Sequence, residues 1–134
     1  MQSTQESLVE AALAARDAAY APYSRFRVGA AVRTADGGVF AGCNVENASY
    51  GLTICAERSA VCAAVAAGAT RIVAVAVAAS GGASPCGACR QVLAEFGPAM
   101  EVTLVDADDP AQVRVTTLDK LLPDSFSGAV LGDR

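Results

Sequence analysis

Apolar positions recur along the chain with two different periods. Near the start Leu8, Ala11, Ala12, Ala15, Ala18 and Ala19 fall on one helical stripe. Ser3 followed by Glu6 resembles a capping box at its beginning. This helix is predicted to stop before Ala21-Pro22, because a residue preceding proline is pushed out of the helical region. Residues 27–34 and 39–45 read as strands joined at Asp36-Gly37-Gly38, a hairpin signal. Residues 55–67 form a second helix, terminated at Gly68. Apart from Glu57, Arg58 and Ser59 near its start, this helix is apolar on every side, which predicts burial all round.

Residues 72–79 are apolar throughout, as expected of a central strand covered on both faces. A loop over 80–84 contains Gly81-Gly82, and Pro85 then opens a third helix over 86–96, ended by Gly97-Pro98. Short strands over 102–105 and 113–116 follow, with a helical turn at 118–122. No internal period of repeat length is visible. The order of elements predicts an α/β fold, a three-layer α-β-α sandwich around a mixed sheet of about five strands. At 134 residues and 13.5 kDa, residues 1–134 are expected to form a single domain.

Composition narrows the function. Hydrophobic residues make up 53% of the chain against 18% charged, which excludes a disordered, solvating polymer. No apolar run approaches the ~20 residues of a membrane span, and the polar start is unlike a secretory signal. A soluble, cytoplasmic protein with no membrane partner is therefore expected. The formal net charge is -4, Lys120 is the only lysine, and the arginines are scattered. Nucleic acid is not an expected partner, since its binding draws on clustered cations. Histidine is absent. Proton transfer near neutral pH then falls to a carboxylate, a tyrosine, a cysteine or Lys120.

Five cysteines are an odd number for a disulfide scaffold. Without an export signal, close pairs point to metal or catalysis. Cys86-Gly87-Ala88-Cys89 at a helix start is by itself open between a metal knuckle, a redox dithiol and two buried cysteines. The redox reading wants a strand leading directly into the motif, whereas a glycine-rich loop intervenes. Cys55-Ala56-Glu57 opens the preceding helix. Three thiolates at two helix N-termini lie where the macrodipoles favour negative charge. Three ligands on Zn²⁺ leave one position open, the pattern of a catalytic site, and Glu57 is placed to shuttle protons beside it. The alternative is a closed structural site with Cys43 or Cys62 as a fourth sulfur. Cys62 lies two turns (~10 Å) beyond Cys55 on the same helix, too far to share an ion, and reads as a core residue. Cys43 stays open on spacing alone. Asp106, Asp108 and Asp109 lack the EF-hand spacing and read as a solvated turn.

Cys55-Ala56-Glu57 with Pro85-Cys86-Gly87-Ala88-Cys89 matches the signature of zinc nucleobase deaminases. Phe26-Arg27-Val28-Gly29-Ala30-Ala31, Gly42-Cys43-Asn44-Val45-Glu46-Asn47-Ala48-Ser49-Tyr50 and Cys89-Arg90-Gln91-Val92-Leu93 extend the match. Together they resemble the cytidine deaminase family, in its short, all-cysteine, homotetrameric type, over nearly the whole chain from Tyr20 to Phe126. The resemblance implies hydrolytic deamination of free cytidine and deoxycytidine to uridine and deoxyuridine plus ammonia, as in pyrimidine salvage. It implies one Zn²⁺ per chain on Cys55, Cys86 and Cys89, with Glu57 carrying protons to N3 and to the departing amino group.

The same resemblance assigns the remaining site residues. Phe26 is the stacking surface for the base, and Asn44 and Glu46 hold the ribose hydroxyls. Tyr50 and the backbone near Ala56 and Cys86 complete the substrate contacts. Phe126 is implied to enter the pocket of a neighbouring subunit, in a homotetramer with shared active sites; the alternative is that it covers its own core. Three thiolates (-3) on Zn²⁺ (+2) give a site of -1, so nearby positive charge is needed. Arg58 is implied to contact the sulfurs. Arg90, directly after Cys89, is a second source of charge or else a helix-surface arginine. Among rival readings, deaminases of polynucleotides need a basic channel that this acidic chain lacks. Deaminases of cytosine-bearing antibiotics have no ordinary ribose for Glu46, and a structural zinc module has no need of Glu57.

Overall fold

Ser3 Oγ accepts the Glu6 N–H at 3.0 Å and starts helix α1 (Thr4–Arg16), in a computed structural model that describes residues 3–132. The helix stops earlier than its apolar stripe predicts. The N–H groups of Asp17, Ala18 and Ala19 each bond a carbonyl three residues back, which tightens the chain and turns it out of the α-helix. Tyr20 then lies along the 44–46 segment: its N–H donates to Asn44 O at 3.0 Å and its carbonyl accepts from Glu46 N at 2.8 Å.

Strands β1 (Gly29–Thr34) and β2 (Val39–Cys43) form the hairpin expected from Asp36-Gly37-Gly38, with Gly37 at φ 95°. Helix α2 (Ala56–Ala66) and strand β3 (Ile72–Ala79) follow. Helix α3 (Gly87–Phe96) crosses over to β4 (Glu101–Asp106), and β5 (Val113–Thr117) and the turn α4 (Leu118–Leu121) close the order. The sheet order is β2-β1-β3-β4-β5. Only β3 and β4 run parallel, as a helical crossover requires, and the other pairs are antiparallel. Apart from Val73 and Ala74, β3 is buried, as its apolar run predicts.

The strand period of two divides the core into two layers. Ala31, Ala76, Ala78 and Val105 pack against Leu8 and Ala12 of α1. Val32, Val75, Val77 and Leu104 pack with Ala60, Val61 and Leu93 of α2 and α3 on the other face. Close approach is built into both layers. A Cβ on Gly29 would lie 2.0 Å from Ala12 O, and one on Gly42 would lie 2.5 Å from Ala60 N. This is the three-layer α/β sandwich that the pattern of elements predicts.

Burial of α2 on every side is not what the fold delivers. Ala56, Ala60, Val61 and Ala64 face the sheet, but Cys62, Val65 and Ala66 are exposed. A helix lying on one face of a sheet covers only one stripe, so its far side stays uncovered within a single chain, however apolar the sequence is.

Candidate active site

The site lies where the N-termini of α2 and α3 meet. Cys55 and Cys86 are the N-cap residues of the two helices, both with extended backbone, and Cys89 sits in the first turn of α3. At this position Cys86 Sγ accepts the Cys89 N–H at 3.4 Å, as a serine or aspartate cap would. Cys55 makes no such cap bond at the start of α2, and both sulfurs sit at the positive ends of their helices.

The three sulfurs lie within 4.8 Å of one another, with Cys86 Sγ and Cys89 Sγ 3.3 Å apart. Zinc–sulfur bonds of ~2.3 Å in a tetrahedron require sulfurs ~3.8 Å apart, so the three thiols fit one zinc ion with little movement. Among the described residues, Cys43 and Cys62 stand outside this group. The four-cysteine arrangement that spacing left open is not formed, and three ligands leave a fourth position free.

Charge around the sulfurs is arranged by neighbours. Arg58 Nη2 donates to Cys55 Sγ at 3.2 Å, and this bond, set against partial desolvation, raises the guanidinium pKa further. Burial pushes the Cys89 thiol up, and the nearby Glu57 charge pushes it the same way. Cys86 is pushed up by burial too, but bonds from the backbone and side chain of Cys89 outweigh it and hold this thiol below its usual value. Glu57, in the first turn of α2, is 5% exposed. Its burial raises the carboxyl pKa, partly offset by its own N–H, by Arg58 and by a bond from Cys89.

Cys55, Glu57 and Cys86 open onto a cavity of about 300 Å³ that is lined also by Phe26, Asn44, Glu46 and Ala56. Asn44 is buried, with one bond made at each end of its amide. Its Oδ1 accepts from Val28 N at 2.9 Å and its Nδ2 donates to Phe26 O at 2.8 Å. These side-chain bonds hold the 26–28 segment alongside Asn44, whose own N–H also donates to Val28 O at 3.2 Å, just ahead of β1. Glu46 Oε1 accepts from the N–H groups of Tyr23 and Ser24 at 2.9 and 3.1 Å, while Ser24 Oγ donates to Oε2. The Ser24 hydroxyl, with the two N–H bonds, holds the Glu46 carboxyl below the usual carboxylate range.

Tyr50, Phe126 and Arg90, named from the sequence as site residues, lie apart from this cavity. Tyr50 is 75% exposed, packs edge-on against Tyr23 with centroids 6.0 Å apart, and borders a neighbouring hollow with Glu46 and Thr53. Phe126 is 58% exposed, and its carbonyl accepts from Gln91 Nε2 at 3.0 Å. Arg90 directs its bonds away from the sulfurs, to Pro85 O, Leu121 O and Ser84 Oγ. Ser24, Thr53 and Ser84 line the cavity and were not singled out from the sequence. A serine two residues beyond Pro22 signals a turn, but nothing local points to its partner 22 positions away.

The description "Cytidine and deoxycytidylate deaminase zinc-binding region" belongs to the family model that matches residues 2–105. The cytidine deaminase of Halalkalibacterium halodurans is 44% identical over 131 residues, covering 96% of this chain and 98% of its own. That of Mycobacterium tuberculosis is 52% identical over 110 residues, 81% of this chain and 78% of its own. The crystal structure of cytidine deaminase from Burkholderia pseudomallei superposes with a TM-score of 0.86 at 54% identity, over 94% of this chain and 100% of that one.

Proposed function

The chain belongs to the cytidine deaminase family, in the short form whose zinc site is made of three cysteines, and from that membership we propose that it hydrolyses free cytidine and deoxycytidine to uridine and deoxyuridine plus ammonia. The observation that carries this reading is the buried Glu57 carboxyl beside three converging thiols, two of which line one small cavity with it. A volume of about 300 Å³ is at the lower end of small-molecule pockets. That suits a nucleoside rather than a polynucleotide strand, as does the net charge of -4.

Zinc held by Cys55, Cys86 and Cys89 would supply Lewis acidity, enough to make water nucleophilic near neutral pH. The residues do the rest. Phe26 offers its ring face to the cytosine, and the unpaired N–H groups in the first turn of α2, around Ala56, orient it. Asn44 and Glu46 take the ribose hydroxyls with the acceptor and donor capacity that remains beyond their bonds to 23–28. Glu57 receives a proton from the attacking water and delivers it to N3. It then takes the proton of the new C4 hydroxyl and passes it to the exocyclic nitrogen, so that the C4 carbonyl forms as the C4–N bond breaks and ammonia leaves. Arg58 offsets the -1 charge of the metal and its thiolates.

The assembly we propose is a homotetramer in which Phe126 of one subunit completes the site of another. The exposed Phe126 ring and the uncovered apolar stripe of α2 with Val65 support this. Among the described residues no helix is long and apolar enough to cross a membrane. All five cysteines are free, which supports a reducing, cytoplasmic setting.

The test is ultraviolet absorbance of zinc-loaded protein mixed with cytidine, deoxycytidine, cytosine and deoxycytidine monophosphate. Loss of the cytosine chromophore is expected with both nucleosides and not with the base or the nucleotide. Stoichiometric zinc with no change in either nucleoside would overturn the reading.

A further inference from the structure

Arg90 reaches two segments of the chain that are far apart in sequence. Its Nε donates to Pro85 O at 2.8 Å and its Nη2 to Ser84 Oγ at 3.0 Å. Its Nη1 donates to Leu121 O, at the last residue of α4, also at 2.8 Å. The side chain is half-buried, so these are not bonds of a freely solvated arginine. The next residue of α3 extends the connection: Gln91 Nε2 donates to Phe126 O at 3.0 Å.

Pro85 O belongs to the peptide bond that leads into Cys86. A peptide unit is planar, so holding its oxygen fixes the orientation of the whole unit and of the Cys86 Cα at its far end. Cys89 is carried by α3 itself, one position before Arg90. The bond from Arg90 to Pro85 O therefore ties one zinc ligand to the helix that carries another. Ser84, held by the same guanidinium, lines the cavity wall. A planar fork with donors in fixed directions can satisfy three acceptors in this way; an ammonium cannot.

We propose that Arg90 is a positioning residue, which holds the 84–86 wall and Cys86 in register with Cys89 and links them to the C-terminal segment beyond Leu121. Its role is geometric and not the supply of positive charge to the thiolates. The inference rests on the zinc-dependent reading of the site, and its principal readout needs no turnover.

The experiment compares zinc-loaded wild-type protein with Arg90→Lys, Arg90→Gln and Ser84→Ala, following zinc release to an excess of a chromogenic chelator and kcat on cytidine. Loss of groups that orient metal ligands typically costs ~10- to 100-fold in metal affinity or activity. Arg90→Lys and Arg90→Gln are both expected to release zinc about tenfold faster or more, with kcat reduced to match, and Ser84→Ala a few-fold faster. Lysine keeps the charge and loses the fork. Wild-type zinc release from Arg90→Lys would therefore overturn the proposal in favour of a charge effect. Should Arg90→Gln fail to fold, Arg90→Lys and Ser84→Ala decide, and wild-type release from both would overturn it. A wild-type protein that holds zinc but leaves cytidine unchanged sinks the proposed reaction alone, because chelator release is measured without substrate.

Discussion

Arg58 Nη2 donates to Cys55 Sγ across 3.2 Å, from one turn further along the same helix. Residues three apart share a face, so helix geometry alone brings this guanidinium to the sulfur. The Arg58 Nε is buried without a hydrogen-bond partner.

Arg58→Gln should retain the fold and weaken the metal site. The neutral amide leaves the thiolate charge uncompensated, and zinc release to a chelator should rise by roughly ten-fold, with kcat falling by ~10- to 100-fold. Unchanged release and turnover would show that the contact is incidental.

Glu57→Gln should keep zinc at one per chain by elemental analysis, because no ligand is altered. Turnover should fall by ~10⁴-fold or more, the upper end for a general acid–base group, since the proposed reaction uses the carboxyl in more than one proton transfer. Near-normal turnover would remove Glu57 from the mechanism.

The metal-free chain should show a pH dependence traceable to the same carboxyl. Burial raises the folded-state pKa of Glu57 above the ordinary glutamate value of 4.5. Between those two values the folded state binds more protons than the unfolded one, so stability falls as pH rises through this window. Glu57→Gln should flatten that part of a Tm-against-pH curve. An equally steep fall in the variant would assign the effect to other groups.

Glu46→Ala should raise KM for cytidine far more than it affects any residual activity on free cytosine, which has no sugar to hold. Some kcat loss is expected as well, because the carboxylate also secures Tyr23 and Ser24 at the cavity rim. Equal effects on base and nucleoside would mean that Glu46 does not read the sugar.

Gly42→Ala should destabilise the fold by about 1–3 kcal/mol or more through overpacking. Its Cβ would press on Ala60 N at 2.5 Å and Ser59 Cβ at 2.7 Å, forcing α2 away from β2. Gly51→Ala, which meets nothing within 4 Å, is the control and should leave Tm close to that of the wild type. Matching Tm values for the two would refute the close approach.

Mixing Glu57→Gln chains with Phe126→Ala chains tests shared sites. Each variant alone should be nearly inactive, and subunit exchange should restore part of the activity, because some pockets then receive both intact residues. A fully active monomer by light scattering would defeat the proposed assembly.

What the sequence determined by itself is what local geometry encodes. The Ser3 cap, the Asp36-Gly37-Gly38 hairpin, the apolar run of β3 and the two cysteine-bearing helix starts depend on interactions within a few residues, and their periods and turn residues are written in order along the chain. The donor set of the metal group was legible for the same reason, as Cys55, Cys86 and Cys89 each stand at a recognisable helix N-terminus. Tertiary structure decided everything that required distant segments to meet. Cys43 is excluded from the sulfur group only by where β2 places it. Arg90 turns toward Leu121 rather than the thiolates because α4 packs beside α3. Glu46 finds Ser24, and Asn44 the 26–28 backbone, across chain separations that carry no periodic trace. Composition made α2 apolar on all sides, but one sheet face covers one helix stripe. Which stripe is left open is settled by packing, because burial depends on the neighbours that surround a surface and not on the residues within it.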